Sequence, residues 1–478
     1  MNTPRCSPLV IGHQFSKKTP RSGSSSAQAI QRNFTAPPLP PELIDHVIDE
    51  LWNDTRSLRI CTLVCNSWRI SSQWHLFQRI HVGLVGEQET SSDRRLDEYR
   101  RFLLSSNRRS IVRELRIYRP TGINSPLTCG ELFVLLQYTP SLRKLTLQGI
   151  NLRTTTEGDF DKTLPFARLP SLRTLDISGY AGSFWSCGSR CLFEMLTWFP
   201  ELRTLRIRMG ALLNSPNCPP TQSMELMDMD QHLQYIRIPT SVRPLRLTHF
   251  HFDSPLSRPF LVETLRKTGC YSSLTTITVG LSSMDEIVAS GRLFRDVGPR
   301  LLHLRLNLID TMIQDGGIVN GTTQQLALNA LQLERCTCLR SIRLDLPYGY
   351  TRRSVESPGF VLYQPAHHWS FGYAILRRFA TPSHRLQSAT FVFMHQPQYP
   401  VPGLKRWTGS IQEIDWAALN DCLERLAMLE EVRFYAEDRW GSPRHKLWPK
   451  VTETITRAVL PSIIQRGISL LFVPDDLD

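Results

Sequence analysis

A short leucine pattern recurs along the chain at a fixed interval. Residues Ser141–Leu147 read SLRKLTL, Ser171–Ile177 read SLRTLDI, and Glu201–Ile207 read ELRTLRI. The leading leucines stand at positions 142, 172 and 202, so the spacing between copies is constant. A repeat of this kind is one supersecondary unit that buries its apolar face against neighbouring copies. The pattern therefore constrains most of the chain to a stack of similar units.

Each copy predicts a β-strand, because its last two apolar residues alternate with a polar one, as on a strand with one buried face. Looser copies lie on either side of the regular ones; they are Val112–Ile117, Leu233–Ile238, Val242–Leu247, Leu274–Val279, Leu301–Leu306, Leu339–Leu344, Leu386–Phe391 and Leu429–Phe434. Beyond residue 233 the spacing becomes irregular, which predicts long insertions between the later repeats.

Helical patterns precede many of the predicted strands. Examples are Glu131–Leu136, Leu192–Phe199 and Asp415–Met428. One strand and one helix per repeat is typical of a leucine-rich repeat. The predicted fold is therefore an α/β repeat, an irregular leucine-rich-repeat-like solenoid over residues 111–478. The alternative is an irregular α/β domain in which the LxxLxL strings occur by coincidence.

A different pattern precedes the repeats. Residues Leu39–Leu51, LPPELIDHVIDEL, place their apolar side chains on one face of a helix that begins near the two prolines. Asn53-Asp54-Thr55 ends this helix and can cap a second one, in which the apolar residues of Ser57–Trp68 cover more than one face. A segment of about 45 residues is near the lower limit for folding alone. Its excess apolar surface therefore predicts a protein interface.

These residues resemble an F-box, and are especially similar to the F-box proteins of mushroom-forming fungi. The resemblance rests on LPxEL at Leu39–Leu43 and LVCxxW at Leu63–Trp68, with Leu58 between them and Leu76-Phe77 after them. It implies a three-helix domain over residues 37–82 that docks on the Skp-type adaptor of a cullin–RING ubiquitin ligase. Carried over by position, the adaptor contacts are Leu39, Pro40, Leu43, Ile44, Ile48, Leu58, Leu63, Val64 and Trp68.

Two features stand beside this resemblance. The segment Leu51–Ser57 departs from the leucine-proline turn that is commoner in the family. The alternative to an F-box is an ordinary helical hairpin packed on its own domain.

The remaining N-terminal segments carry weaker signals. Residues 1–36 are rich in Ser, Pro, Lys and Arg, which predicts a disordered basic tail. Residues 83–110 are expected to form a linker with a first helix at Leu96–Leu104. No apolar run is long enough to span a membrane. The 11 cysteines include no CxxC pair, so reduced thiols in the cytoplasm or the nucleus are expected.

The polar position within each LxxLxL copy suggests a binding surface. It lies between the two inward apolar residues, and so faces the open side of the predicted sheet. Reading down the chain, these positions are Arg116, Thr146, Asp176, Arg206, Arg237, Arg246, Thr278, Arg305, Arg343, Thr390 and Arg433, and Arg208 lies on the same face. Arginine forks suit carboxylates and phosphates. We therefore hypothesise an acidic or phosphorylated protein substrate, the alternative being a row of solvated side chains.

No catalytic motif for nucleotides, zinc proteolysis or serine hydrolysis occurs. We accordingly expect no catalytic residue, metal or cofactor. The F-box resemblance implies a substrate receptor that recruits the cullin and RING proteins through its adaptor. Two alternatives stay open: an F-box scaffold that does not promote degradation, and, from the formal charge of +13, a basic solenoid that binds nucleic acid.

Overall fold

A computed structural model describes the following residues of the chain: 39–84, 90–105, 109–119, 127–150, 152–153, 171–180, 192, 195–210, 245–253, 262, 265–266, 268–281, 283–308, 321–347, 365–394, 414–437, 452–453, 455–456, 463 and 465–474. The chain divides into two compact units. The first comprises Met1–Ser125 and Phe133–Gln148, and the second comprises Pro126–Leu132 and Gly149–Asp478.

Three helices open the first unit: α1 (Pro41–Glu50), α2 (Thr55–Val64) and α3 (Asn66–Gln78). Pro41 occupies the first turn of α1, where a missing backbone N–H leaves no helical hydrogen bond unmade. Asp54 caps α2, since its carboxylate accepts hydrogen bonds from the backbone N–H groups of Arg56 and Ser57, both at 3.0 Å. The Ser57 hydroxyl also donates to Asp54, and these bonds together lower the pKa of that carboxyl. The predicted cap within Asn53–Thr55 is thus confirmed, and the capping residue is Asp54.

The three helices share a small core of their own. Ile44, Ile48 and Leu58 are buried in it, with Leu51, Trp68 and Leu76 packed against them. Polar contacts also join α1 to α3. The Ser71 hydroxyl donates to Asp45, and His75 Nε2 lies 2.7 Å from Asp49 Oδ1.

The first unit continues with parallel strands. They are β1 (Arg79–Gly83), β2 (Glu114–Tyr118) and β4 (Lys144–Gln148), while β3 is the short strand Leu127–Thr128 of the second unit. Helix α4 (Thr90–Ser105) lies between β1 and β2 in sequence and contains the predicted first helix; α5 (Cys129–Gln137) precedes β4. Strand β1 pairs with β2 in register, Ile80 opposite Leu115. The leucine pattern did not predict β1, because RIHVG carries its alternation on Ile and Val.

The described residues of the second unit contain nine more parallel strands in sequence order, beside the short pair of β3 with β5 (Leu152–Arg153). The nine are β6 (Thr174–Tyr180), β7 (Thr204–Gly210), β8 (His249–Asp253), β9 (Thr276–Gly280), β10 (His303–Asn307), β11 (Ser341–Pro347), β12 (Ser388–Met394), β13 (Glu431–Glu437) and β14 (Ser469–Pro474).

From β9 to β13 each pair of consecutive strands is separated by a helix. These helices are α6 (Met284–Val297), α7 (Gly321–Leu331), α8 (Pro365–Arg378) and α9 (Trp416–Glu424). Short 3-10 turns at Cys270–Ser272, Gly298–Arg300 and Leu333–Arg335 precede β9, β10 and β11. The predicted α/β class is thereby confirmed, and the consecutive strands from β9 to β13 pair in parallel.

The inward leucines account for the core of each strand. Leu145, Leu205 and Leu304 are buried, as are their partners two residues later. Aromatic residues take over in the last strands, where Phe391, Phe434 and Phe472 lie opposite one another in register. Their rings stack with centroids 5.3 and 5.6 Å apart. This aromatic row explains why β14 belongs to the sheet although it lacks the leucine pattern.

One predicted strand is wrong and another lies outside the described residues. Leu233–Ile238 falls outside them. Within Val242–Leu247 the described residues, 245–247, form no strand, and the strand begins at His249 instead. Its sequence HFHFD buries Phe250 and Phe252, whose rings stack 6.2 Å apart. The apolar residues that alternate in this strand are therefore phenylalanines. The leucine pattern placed the strand a few residues too early.

No helix in the described ranges is both long and apolar enough to cross a membrane. The described cysteines all carry free thiols; they are Cys61, Cys65, Cys129, Cys270, Cys336, Cys338 and Cys422. Burial raises the pKa of Cys270 to about 11 and that of Cys336 to about 12. These two thiols therefore stay protonated in the core at neutral pH.

A glycine sets the approach of two helices in the second unit. A Cβ atom added to Gly291 of α6 would lie 1.7 Å from the backbone oxygen of Ala330 in α7. Because that oxygen belongs to the backbone, the contact is relieved only if the helices separate. We expect Gly291→Ala to lower the free energy of unfolding by about 1–3 kcal/mol, the usual range for an overpacked core.

Urea unfolding followed by circular dichroism measures this change. The control is Gly372→Ala in α8, where the new Cβ would meet the flexible side chain of Leu346 at 3.4 Å. That variant should change stability by less than about 1 kcal/mol. Equal effects of the two substitutions would contradict the close approach of α6 and α7.

Candidate protein-interaction surfaces

The three N-terminal helices expose large apolar side chains outside their small core. These are Leu39, Leu43, Val47, Trp52, Ile60, Leu63, Val64, Ile70 and Trp74. Leu63 is 85% exposed, which is exceptional for a leucine within a folded unit. Each helix carries one exposed pair at positions i and i+4: Leu43/Val47, Ile60/Val64 and Ile70/Trp74. Residues four apart lie on the same helical face, so each helix presents an outward apolar stripe.

The structure divides the nine predicted adaptor contacts into two groups. Exposed to solvent are Leu39, Pro40, Leu43, Leu63 and Val64. Packed in or against the helices' own core are Ile44, Ile48, Leu58 and Trp68. The second group fixes the helices relative to one another, so it is less suited to direct contact with a partner. The sequence did not separate the groups, because both have helical spacing.

Exposed residues that the sequence analysis did not select extend this surface. Val47, Ile60, Ile70 and Trp74 belong to it by position on the helices. Helical periodicity alone could have identified Val47 from Leu43 and Ile60 from Val64, since these residues are four apart, whereas neither Ile70 nor Trp74 has a predicted contact as its i, i+4 partner. Cys65 is exposed between α2 and α3, and its Sγ lies 3.1 Å from the hydroxyl of Ser67. This hydrogen bond lowers the pKa of the Cys65 thiol.

Polar side chains form a row across the strands of the second unit. The register places Asp176, Arg206, His251, Thr278, Arg305, Arg343, Thr390 and Arg433 opposite their neighbours from β6 to β13. Four of the predicted arginines thus share this row. Arg208 lies two residues beyond Arg206 on the same strand.

Two predicted members do not belong to the row as described. Arg237 lies outside the described residues. Arg246 precedes β8, and His251 occupies the position opposite Arg206 instead. Arg246 Nη1 lies 3.6 Å from Glu201 Oε2, with both side chains substantially exposed. The assignment of Arg246 to the row was wrong, for the same reason that the strand was placed too early.

A buried carboxylate holds two arginines of the row. Arg305 Nε donates to Asp345 Oδ2 at 2.5 Å, and Arg343 Nε donates to Asp345 Oδ1 at 2.9 Å. The side chain of Asp345 is fully buried, whereas each arginine side chain is about one quarter exposed. The Arg343 guanidinium also lies 5.8 Å from the ring centroid of Tyr435. Asp345 therefore compensates the positive charges of Arg305 and Arg343, which the sequence analysis had assigned to the binding of a partner.

Other arginines of the second unit also contact acidic residues of the chain. Arg208 Nη2 donates to Asp176 Oδ2 at 2.7 Å. Arg433 lies 2.7 Å from Glu431, whose hydrogen bond raises the pKa of the Arg433 guanidinium. Among the described residues, Arg206 is the row arginine for which no ion pair is observed. Four of the arginines that the sequence analysis assigned to a bound substrate, Arg208, Arg305, Arg343 and Arg433, therefore already have carboxylate partners within the chain.

Arg116 of the first unit has a different environment. It is exposed on β2, and its Nη2 donates to the neutral side-chain oxygen of Gln148 on β4. Its guanidinium lies 5.8 Å from the ring centroid of Tyr118. No acidic residue in the described part of the chain forms an ion pair with it.

Metal-ligating side chains do not cluster in the described residues. No group of three or more His, Cys, Asp or Glu residues there could hold a metal ion. His367 and His368 lie in α8, where His368 is buried.

No protein-family model matches this chain, and no curated protein matches it significantly. A solved structure from Bacteroides fragilis, a structural-genomics target, is similar over 83% of this chain and 74% of its own. It is 9% identical in sequence, with a TM-score of 0.30. Similarity at that level carries no argument about function.

The buried carboxylate of Asp345 yields a stability prediction. We expect Asp345→Ala to lower the free energy of unfolding by about 1–3 kcal/mol, since it removes two charge-assisted hydrogen bonds. The loss stays moderate because both arginines can gain water contacts. Chemical unfolding of the purified chain measures the change.

The control for this prediction is Glu431→Ala. Its partner Arg433 is 42% exposed, so loss of that pair should cost under about 1 kcal/mol. If Asp345→Ala were as mild as Glu431→Ala, Asp345 would not be the residue that fixes the two arginines.

Proposed function

We propose that this chain is the substrate-recognition subunit of a Skp–cullin–F-box type ubiquitin ligase. Its three N-terminal helices act as the F-box, and its α/β repeats form a leucine-rich-repeat-like solenoid that holds the substrate. The observation that carries the proposal is the exposure of Leu43, Leu63 and Val64 on helices that already possess their own core.

The energetics support a docking role for this surface. Fully burying one large aliphatic side chain stabilises a complex by roughly 1.5–3 kcal/mol. An exposed stripe on each of three helices therefore supplies several candidate anchor residues for a partner. Exposed apolar patches of this kind on soluble units mark interaction sites. The sequence patterns LPxEL and LVCxxW resemble an F-box, and this resemblance implies that the partner is the Skp-type adaptor.

The proposed mechanism requires no chemistry from this chain. The helices bind the Skp-type adaptor, and through it the cullin and the RING protein. The repeats hold a substrate protein, so that a substrate lysine meets the charged conjugating enzyme at a high effective concentration. No cofactor or metal takes part in these roles. The complex would act in the cytoplasm or the nucleus.

Two other functions make different predictions. An F-box scaffold that does not promote degradation would capture the adaptor without the cullin. A nucleic-acid-binding solenoid would draw on the formal charge of +13. The internal pairing of Arg208, Arg305, Arg343 and Arg433 disfavours nucleic acid, because these charges already have carboxylate partners.

Co-purification with the adaptor tests the proposal. We expect the tagged wild-type chain to capture a Skp-type adaptor. The variant Leu43→Asp/Val64→Asp should bind the adaptor at least about tenfold more weakly, since both substitutions put a charge in a desolvated contact. Both positions are exposed, so the fold should be retained, and circular dichroism checks this.

The matched control is Leu326→Asp. Leu326 is 58% exposed on α7 of the second unit, so its substitution also adds a charge at an exposed leucine. The control should bind adaptor as the wild type does. Failure of the folded wild type to bind adaptor would refute the ligase function. Capture of adaptor without cullin would favour the scaffold.

A further inference from the structure

The polar face of the first unit differs from that of the second in its charge balance. Three strands place nine residues on it in register: Arg79, His81 and Gly83; Glu114, Arg116 and Tyr118; Lys144, Thr146 and Gln148. Glu114 is the acidic member of this set. Against it stand the positive charges of Arg79, Arg116 and Lys144. The nine positions thus carry a net charge of about +2 when His81 is neutral.

The single carboxylate lies in the first row of this face. Arg79 Nε is 3.9 Å from Glu114 Oε1, and the register places Lys144 opposite Glu114 on the other side. Arg79 is further engaged by Asn53, at 3.3 Å from its Nη1, and by the ring of Trp52 at 4.6 Å. The negative charge of Glu114 therefore lies in the row of Arg79 and Lys144, one row before Arg116.

Arg116 occupies the centre of the face, between side chains that can also bind an oxyanion. Its neighbours in register are His81 and Thr146. Strands lie about 4.8 Å apart, so an imidazole and a hydroxyl stand on either side of the guanidinium. Partial burial, and then the charge of Arg116, lower the pKa of His81.

Two further residues fix the arginine in place. Gln148 accepts a hydrogen bond from Arg116 Nη2 through its side-chain oxygen. Tyr118 lies under the guanidinium, 5.8 Å from ring centroid to Cζ. The ring has room because residue 83 is glycine: a Cβ there would lie 2.8 Å from the Tyr118 hydroxyl. An arginine held by neutral partners keeps its charge available, and aromatic contact favours a guanidinium in this position.

We infer that Arg116, flanked by His81 and Thr146, forms an oxyanion-binding site for a phosphorylated residue of a peptide. A phosphate monoester carries about −1.5 to −2 charges at pH 7, which matches the charge of the face better than a single carboxylate does. As an anion site the assignment stands on this geometry alone. As a contact to a ubiquitination substrate it rests on the proposed function.

This assignment gives anion binding to Arg116 and not to most of the other arginines that the sequence analysis selected. In the second unit the row arginines Arg305, Arg343 and Arg433 have carboxylate partners within the chain. Arg116 has an amide and a ring instead. Arg206 also has no ion pair among the described residues, but the register places the carboxylate of Asp176 directly beside it. Since a ligand anion competes with internal carboxylates for the same donors, Arg116 is favoured over the arginines of the second unit.

Fluorescence polarisation with the full chain tests the site. The probes are three labelled Gly-Ser heptapeptides that carry phosphoserine, glutamate or serine at the centre. We expect the phosphoserine peptide to bind most tightly, and Arg116→Gln to weaken it about tenfold or more, the size of a lost charge-assisted hydrogen bond. Arg116→Lys should restore binding in part, because it keeps the charge and loses the fork.

The matched control is Arg143→Gln. Arg143 is exposed immediately before β4 and lies outside the nine-residue face, so it removes the same charge elsewhere in the unit. Its binding should equal that of the wild type. Tighter binding of the glutamate peptide than of the phosphoserine peptide, with the same dependence on Arg116, would overturn phosphate as the ligand of the site. Equal binding of all three peptides, or equal effects of Arg143→Gln and Arg116→Gln, would overturn it.

Adaptor capture on the same proteins separates this inference from the proposed function. Loss of phosphopeptide binding in Arg116→Gln, with adaptor binding retained, places the site apart from the adaptor surface and supports it. Phosphopeptide binding by a wild-type chain that captures no adaptor would refute the ligase function and support the anion site. Adaptor capture without any phosphopeptide binding would refute the anion site and leave the ligase function standing.

Discussion

The polar surfaces of this protein depend on one constraint, the register of its parallel strands. Each of these strands buries two apolar side chains on one face. Once Leu205 and Ile207 point into the core, Arg206 and Arg208 necessarily point to the opposite face. The same alternation holds for Leu304 and Leu306 around Arg305. Register then brings polar residues from distant parts of the sequence into one row. Charge pairing on that row is therefore a consequence of how the core is filled.

Within each unit the polar row has been given a different chemical character. In the second unit, acidic residues such as Asp345 and Asp176 hold the arginines. A fully buried carboxylate with two guanidinium donors rigidifies its surroundings, because breaking either contact leaves a desolvated charge. In the first unit Arg116 is held by an amide and an aromatic ring instead. The first arrangement suits a structural role, and the second leaves charge for a ligand.

The three N-terminal helices illustrate how a small core and an interface can share one amphipathic pattern. Ile44, Ile48 and Leu58 form the small core between the helices, and His75 contacts Asp49 across α1 and α3. The remaining apolar side chains then lie outward. Exposed apolar surface is unfavourable in water. We therefore expect a partner protein to cover these side chains. Their exposure is the physical basis for the docking role proposed above.

The sequence by itself determined the elements whose signals are local: the helices of the N-terminal segment, the break and cap at Asn53–Thr55, and the strands with the leucine period. Tertiary structure decided which residues of a periodic pattern are buried and which exposed, as for Ile48 and Leu63. It also decided which arginines are compensated. Asp345 reaches Arg305 across a separation of 40 residues, and no local period encodes that contact. The strand at His249 was misplaced because phenylalanine and leucine satisfy the same alternation, and only packing distinguishes them.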